Sequence, residues 1–265
     1  MAVVINNGVS IYYEVHGSGD PLVFVLGSGG NHAAWWQQVT ALRGEFTVVT
    51  VDLQGFGKSD SAGDIFDAHD HPGDILAVLR DADLADAVLV GESIGAAAAL
   101  KAALREPDRV RGVILAHSLG GIDHTELAEW VREDRANAEK RPVFDRLLSK
   151  SFQEREPAKA FLCRQMGTFN IPKIQDLRNL TSEGITVDQL STSNIWVAFL
   201  VGERDAVLSQ ATVRRAHELL SGSLLEVVPD APHSMYSERP ELFNAAVALL
   251  AVRLRQVTTI GVATA

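Results

Sequence analysis

The sequence predicts an α/β fold in which a mostly parallel sheet is covered by helices on both faces. Strand and helix patterns alternate over most of the 265 residues. The pattern Gly91-Glu92-Ser93-Ile94-Gly95 follows an apolar strand run and precedes an alanine-rich helix pattern. From about residue 119 to 192, strand patterns give way to helical ones, which indicates a helical insertion into the alternating fold.

The first half of the chain begins with a predicted hairpin and continues as alternating strands and helices. Two runs of alternating polarity flank the turn Asn6-Asn7-Gly8, which is typical of a hairpin. Solid apolar runs indicate buried strands at 22–26, 46–51, 87–90 and 113–116. Helices are predicted between them, at 33–42, around 75–84 and from residue 96 onward.

The second half contains the helical insertion and then two more strands. Apolar residues recur at helical spacing in the insertion, as in Leu127/Trp130/Val131. Strand patterns return at 195–201 and 224–228, and a last helix has one apolar face. Because open α/β sheets bind ligands beyond their strand ends, we interpret residues 119–192 as a cap over a core formed by 1–118 and 193–265.

The pattern around Ser93 has the form expected of a catalytic nucleophile. Glycines at 91 and 95 permit a turn too tight for a Cβ atom, and that turn pushes the Ser93 hydroxyl away from the backbone. The helix that follows points its first N–H groups at charge that develops beside the hydroxyl. The alternative interpretation is an ordinary strand-to-helix loop whose glycines only relieve crowding.

Composition restricts the partners and the compartment. A net charge of −10 argues against nucleic acid or an anionic membrane, and it leaves a small molecule as the expected partner. The single cysteine, Cys163, excludes an intramolecular disulfide and fits a reducing compartment. The N-terminus has no signal-peptide pattern, and no apolar run of about eighteen uncharged residues is present. We expect a cytoplasmic protein that is a monomer or a homodimer.

The segment Asp67-Ala68-His69-Asp70-His71 contains side chains of the types that bind metals. It has no defined scaffold around it, and it opens a predicted helix, where polar groups commonly cap the first turn. We therefore interpret it as a polar loop, and we predict neither a metal nor a cofactor.

Taken together, the motifs resemble those of the α/β-hydrolase superfamily over nearly the whole chain. They occur in the family's order: a strand ending in the glycine loop 27–30, a D-x-x-G-F-G-x-S-D string at 52–60, the Ser93 elbow, a helical cap, a late acid and a late histidine. The resemblance implies an eight-stranded, mostly parallel sheet with an inserted cap. It is closest to the small cap-bearing esterases, lactonases, C–C bond hydrolases and cofactor-free haloperoxidases.

Three positions depart from the family's pattern. Leu26 stands where the family usually has histidine, Gln54 where it usually has arginine, and Ala96 where it often has glycine. The first two positions are structural supports in the family. The expected fold therefore stands, while the shape of the oxyanion loop is left open.

The resemblance and the predicted topology together assign a catalytic triad. His233 lies between the last predicted strand and the last helix, at the sheet end that carries Ser93, where the family has its base. Asp205 follows the preceding strand in a G-x-x-D pattern that matches the family's acid loop, with Glu203 as the alternative. The strand at 113–116 ends in His117 with no carboxylate close behind, which argues against the family's other acid position.

The oxyanion hole and the pocket are expected near the glycine loop. One oxyanion donor is the N–H of Ile94, and the family pattern assigns the other to Ser28, with Gly29 as the alternative. Glu92 is expected to point away from the site. An apolar substrate pocket is predicted from Gly27, Gly29, Trp35, Phe161, Met166 and Phe169. Core packing is the alternative for its aromatic and methionine side chains.

Three functions fit these residues. The first is a serine hydrolase that cleaves a small, apolar carboxylic ester or lactone through an acyl-Ser93 intermediate. The second uses the same triad on a C–C bond of a ring-cleavage product. Family members of that type usually have asparagine before the serine and an arginine in the pocket; Glu92 does not match, and Arg178 is a candidate. The third is a ligand receptor on the same fold.

Overall fold

The computed structural model describes residues 1–28, 30–63, 66–171, 176–180 and 183–262, with side chains to residue 256. Its strands are β1 (Ala2–Asn6), β2 (Val9–His16), β3 (Asp20–Val25), β4 (Phe46–Val51), β5 (Phe66–Asp67), β6 (Ala87–Glu92), β7 (Val110–Ala116), β8 (Ile122–Asp123), β9 (Leu177–Arg178), β10 (Ile185–Thr186), β11 (Trp196–Gly202) and β12 (Leu224–Val228). Its helices are α1 (Trp36–Leu42), α2 (His71–Asp81), α3 (Ile94–Arg105), α4 (Thr125–Ala138), α5 (Val143–Leu147), α6 (Lys150–Arg155), α7 (Pro157–Met166), α8 (Val187–Ser191), α9 (Gln210–Leu219), α10 (Met235–Glu238) and α11 (Pro240–Val262).

Eight of these strands form one sheet in the order β1-β2-β4-β3-β6-β7-β11-β12. β2 is antiparallel to both β1 and β4, and all the other neighbours are parallel. The predicted fold class is therefore confirmed. Because β3, β6, β7 and β11 are parallel neighbours, the loops that follow them meet at one edge, where ligands bind in open α/β sheets.

Helices cover both faces of the sheet, because the central strands are apolar on both sides. One face is covered by α2, α3 and α9, which contribute the fully buried side chains of Ile75, Leu100 and Val213. The other face is covered by α1 and α11, and Phe243 and Leu250 of α11 are also fully buried. These two layers fix the strand ends that carry the predicted site.

Helices α4 to α8 lie between β7 and β11 in the chain, in the interval for which a helical cap is predicted. Two short pairings accompany them, β8 with β10 and β5 with β9, and neither is predicted from the sequence. Strands of two residues have no alternation that a sequence pattern could reveal. Across the described ranges, the chain has no helix with the length and apolarity needed to cross a membrane.

Hydrogen bonds connect this helical insertion to the loop that contains the predicted base and to α10, which follows it. The N–H and the Oγ of Ser149 each donate to the Glu238 carboxylate at 2.7 Å. The N–H of Ser234 donates to the carbonyl oxygen of Leu147 at 2.9 Å. The chain directly after His233 is thus held by the insertion.

Candidate active site

Ser93 occupies a sharp turn between the end of β6 and the start of α3. Its backbone has φ +51° and ψ −119°, a strained conformation for a residue with a side chain. A Cβ atom at Gly91 would lie 2.4 Å from Cα of Ala96, and one at Gly95 would lie 2.6 Å from the carbonyl oxygen of Val25. Only glycine lets α3 begin this close to the strands, which is the physical basis of the G-x-S-x-G pattern here.

Asp205 lies in the turn after β11 and is surrounded by N–H donors. Its Oδ1 accepts the backbone N–H of Val207 at 2.8 Å and that of Leu208 at 3.0 Å. Nδ1 of His233 lies 2.9 Å from both carboxylate oxygens. Burial opposes ionisation, but the charge of His233 and the hydrogen bonds from imidazole groups outweigh it and hold the pKa of Asp205 well below its usual range. Glu203, the alternative acid, is exposed.

His233 lies in the loop after β12, and its side chain is almost completely buried. Because Nδ1 donates to Asp205, Nε2 is the nitrogen able to accept a proton from a nucleophile. Burial disfavours the imidazolium, but the charge and hydrogen bond of Asp205 and the charge of Glu92 outweigh burial and raise the pKa of His233 to about 9. The structure therefore brings the predicted base and acid into contact.

Glu92, directly before the nucleophile, points into the site, contrary to the expectation that it faces away. Its side chain is buried, and Oε2 accepts the N–H of Gly27 at 3.2 Å. Oε1 lies 3.5 Å from Nε2 of His233. Burial raises the pKa of Glu92. The expectation failed because the elbow fixes the direction of Ser93 but not that of the longer side chain before it.

The Ser93 hydroxyl and the imidazole of His233 are not hydrogen-bonded in this conformation. Within the part of the chain that the structure describes, Oγ of Ser93 forms no hydrogen bond. Nε2 of His233 has Glu92 beside it instead. Catalytic hydrogen bonds are often long or absent before substrate binds, so this geometry is compatible with a triad.

The two N–H groups predicted for the oxyanion hole have no competing acceptor among the described residues. Ile94 is the first residue of α3, where an N–H has no partner within the helix. Neither its N–H nor that of Ser28 donates to any residue in the described ranges. Gly29, the alternative donor, lies outside the described residues. Both groups are therefore available to a developing negative charge.

An asparagine that no sequence motif marks holds the glycine loop in place. The side-chain amide of Asn170, which follows α7, donates to the carbonyl oxygen of Gly30 at 2.9 Å and to that of Ser28 at 3.4 Å. Its Oδ1 accepts the N–H of Gly57 at 3.1 Å. One cap residue thus joins the glycine loop to the 52–60 string. A single asparagine among helical patterns gives no signal for such a role.

A second histidine, His117, contacts the predicted acid. It follows β7, and its Nδ1 lies 2.8 Å from Oδ2 of Asp205, with both side chains fully buried. No role for this histidine is predicted from the sequence, in which its position is only an alternative place for the acid. The contact follows from the strand order: β7 lies between β6 and β11 in the sheet, so its last residues meet theirs at the same edge.

Trp35, which is predicted to line the pocket, belongs to the core. It is fully buried, and its ring centroid lies 5.0 Å from those of Phe24 and Tyr236 and 5.9 Å from that of Phe243. Aromatic rings at these separations pack against one another. We therefore assign Trp35 to core packing, which is the alternative to its predicted place in the pocket wall.

The remaining pocket candidates fall into three environments. A Cβ atom at Gly27 would lie 2.8 Å from Cβ of Ser93, so this residue borders the nucleophile. Met166 is buried against the core cluster that contains Trp35. Phe161 and Phe169 are 63% and 69% exposed, on the outside of the cap rather than in an enclosed pocket. Arg178, the candidate for C–C bond cleavage, lies on β9 and is exposed.

Two groups of side chains in the described ranges are of the types that bind metals. In the segment 67–71, an aspartate accepts a backbone N–H of the turn, as in a polar loop. His117, Asp205 and His233 place three such atoms within 4.8 Å of one another. Both imidazole nitrogens lie at hydrogen-bond distance from the carboxylate, and these bonds account for the arrangement. We assign these three residues to a hydrogen-bonded cluster.

Comparisons with known proteins agree with the fold. The Alpha/beta hydrolase family matches residues 16–246. A 2-(acetamidomethylene)succinate hydrolase of Mesorhizobium japonicum is 28% identical over 258 residues, which cover 90% of each chain. The structure of a thermophilic esterase from Thermogutta terrifontis is 23% identical and superposes with a TM-score of 0.81 over 96% of this chain and 98% of that chain. Est816, an N-acyl homoserine lactone degrading enzyme, is 26% identical, with a TM-score of 0.75 over 93% of this chain and 99% of that chain.

These matches extend over most of the chain, so the likeness is not confined to the Ser93 elbow. Esterases, a lactone-degrading enzyme and other hydrolases occur among them, which fits a hydrolase and leaves the substrate open. The chain therefore belongs to the alpha/beta hydrolase family and is a hydrolase of that family.

Proposed function

We propose that the protein hydrolyses a small carboxylic ester or lactone through an acyl-serine intermediate on Ser93. The observation that carries this proposal is the strained nucleophile turn at the sheet edge where His233 and Asp205 are hydrogen-bonded. A serine needs such a base, and the base needs such an acid, to act as a nucleophile at neutral pH. The likeness to an N-acyl homoserine lactone degrading enzyme supports a lactone or ester substrate.

The reaction begins when neutral His233 takes the Ser93 proton on Nε2, while Asp205 holds the proton on Nδ1. Oγ of Ser93 then attacks the carbonyl carbon, and the N–H groups of Ser28 and Ile94 receive the oxyanion. The imidazolium protonates the departing alkoxide, which leaves the acyl group on Ser93. His233 next activates a water molecule, and hydrolysis releases the acid and restores the serine.

The imidazolium that forms in this mechanism lies between two carboxylates. Asp205 contacts its Nδ1, and Glu92 lies 3.5 Å from its Nε2. Both negative charges favour the protonated ring, which stabilises the intermediate stage of the reaction. The same charges require a higher pH before the resting enzyme holds a neutral base.

The test is covalent labelling combined with a substrate panel. A fluorophosphonate reacts with activated serines, so we expect mass spectrometry to find the adduct on Ser93 in the intact protein. A panel of p-nitrophenyl esters and lactones should yield at least one substrate. Ser93→Ala should abolish both labelling and turnover, because no other group replaces the nucleophile.

A matched control is Ser118→Ala. Ser118 lies at the same sheet edge, where its Oγ accepts the N–H of Gly120, and it has no part in the proposed mechanism. This variant should be labelled and should turn over substrate as the unaltered protein does. Full turnover in Ser93→Ala would disprove the acyl-serine mechanism.

A further inference from the structure

We propose that His117 is a positioning residue of the catalytic centre, which holds the Asp205 carboxylate and thereby tunes His233 as a base. This inference rests on the proposed function, in which Asp205 and His233 are the acid and the base. His117 itself does not touch a substrate in that mechanism. Its effect reaches the reaction only through the carboxylate.

The geometry places two imidazole groups on one carboxylate oxygen. Nδ1 of His117 lies 2.8 Å from Oδ2 of Asp205, and Nδ1 of His233 lies 2.9 Å from the same atom. The centroids of the two imidazole rings are 5.2 Å apart, and the ring planes are inclined by 63°. A carboxylate only accepts hydrogen bonds, so both nitrogens donate to it. The backbone N–H groups of its own turn bond to Oδ1 of Asp205, and His117 bonds to Oδ2, so both carboxylate oxygens are held.

A purely structural role explains His117 poorly. Its side chain is fully buried, and Nε2 has no hydrogen-bond partner among the described residues. Its backbone has φ +54°, in the left-handed region that residues with side chains rarely adopt. An unpaired polar atom and a strained backbone both destabilise a fold, and an apolar side chain would fill this volume without the unpaired nitrogen. The polar group has one use within the described residues, which is its bond to Asp205.

The expected electrostatic effect has a definite sign. A hydrogen bond from His117 draws negative charge away from the carboxylate, so Asp205 attracts the His233 proton less strongly. Glu92 acts in the other direction, because its charge raises the pKa of His233. Cys163 and Tyr236 also face this region, and burial raises the pKa of each, so both are neutral at neutral pH. Removing the His117 donor should therefore make His233 harder to deprotonate.

Two substitutions distinguish the effect of the His117 hydrogen-bond donor from the effect of its strained backbone. His117→Asn places an amide N–H near the position of Nδ1, and His117→Gly removes the donor altogether. Asparagine and glycine both accept a positive φ, so neither variant adds backbone strain. We expect kcat/KM on the best ester of the panel to fall about tenfold to hundredfold in His117→Gly and to stay within a few-fold in His117→Asn. Added imidazole should restore part of the activity of the glycine variant.

The pH profile of kcat/KM distinguishes this role from a merely structural one, because a structural role would leave the profile unchanged. The acid limb of kcat/KM should shift to higher pH in His117→Gly and should return towards its original position in His117→Asn. An unmoved limb in the glycine variant, or a shift to lower pH, would overturn the proposal. Loss of activity in step with a lower melting temperature, and equal in both variants, would also overturn it.

A proton NMR measurement distinguishes this proposal from the proposed function. Imidazole protons bonded to a buried carboxylate resonate far downfield, so the unaltered protein should give two such signals without any substrate. His117→Gly should lose one signal and shift the other. Two unchanged signals would overturn the role of His117, whereas absence of ester and lactone turnover with the expected spectra would count against the proposed function alone.

Discussion

Two buried carboxylates flank His233, and they differ in the number of N–H groups around them. Asp205 accepts hydrogen bonds from two backbone N–H groups and two imidazole groups, whereas Glu92 accepts one within the described residues, from Gly27. The pKa of Asp205 lies below its usual range, and that of Glu92 lies above it. Because both groups are buried, the comparison shows that the number of donors, rather than depth, decides in which direction the pKa of each carboxyl group moves.

The pKa of His233, which lies between Asp205 and Glu92, depends on both carboxylates. Asp205 and Glu92 outweigh burial and raise the pKa of His233 to about 9, so most of the resting enzyme holds an imidazolium at neutral pH. The mechanism needs the neutral imidazole. Activity should therefore rise with pH as His233 loses its proton, and substitutions at the two carboxylates should change this profile in different ways.

The largest effect is expected at Asp205, the carboxylate that accepts the larger number of hydrogen bonds. Asp205→Asn should lower kcat by about 10⁴-fold, because an amide does not hold the proton on Nδ1 of His233 or stabilise the imidazolium. Steady-state kinetics on the best ester of the panel measures the loss. Glu203→Gln is the matched control, since this exposed carboxylate lies on the same turn and should change kcat less than about twofold. A loss below tenfold in Asp205→Asn would show that another group is the acid.

A smaller effect on activity, in the opposite direction at neutral pH, is expected at Glu92. Glu92→Gln removes a negative charge 3.5 Å from Nε2, so the pKa of His233 should fall towards its ordinary value. The acid limb of kcat/KM should move to lower pH, and a drop of one unit would raise activity at pH 7 by up to about tenfold. The plateau at high pH should change little. A limb that stays in place would mean that Glu92 does not act on the base.

The smallest effect concerns the glycine loop, in which the N–H of Gly27 donates to Glu92. Asn170→Ala removes the amide that holds Gly30 and Ser28, so the glycine loop should become less well fixed. We expect kcat to fall about threefold to tenfold with little change in KM, because an oxyanion donor acts mainly in the transition state. Asn137→Ala, at an exposed position of α4, is the control and should leave both constants unchanged. Equal losses in the two variants would contradict a specific role for Asn170.

The sequence predicts the parts of this site that follow a strand in a recognisable motif. Ser93, Asp205 and His233 lie in the turns or loops that follow β6, β11 and β12, and the alternation of strands and helices is enough to place them at one sheet edge. Three contacts remain hidden from such patterns. The direction of Glu92, the bond from His117 and the bridge from Asn170 depend on which strands are neighbours and on how the insertion lies across the loops. Those are long-range relations, which local periodicity does not encode.

The positive φ angles of Ser93 and His117 have a consequence for protein engineering. Each strained residue destabilises the fold by about 1–3 kcal/mol, within a total stability of about 5–15 kcal/mol for a typical domain. The two positions therefore stand out as candidates when a computational method searches for thermostabilising substitutions. Relaxing either backbone would displace a hydroxyl or an imidazole that the proposed site needs. A more heat-resistant variant should be sought in the outer helices, with both of these turns left unaltered.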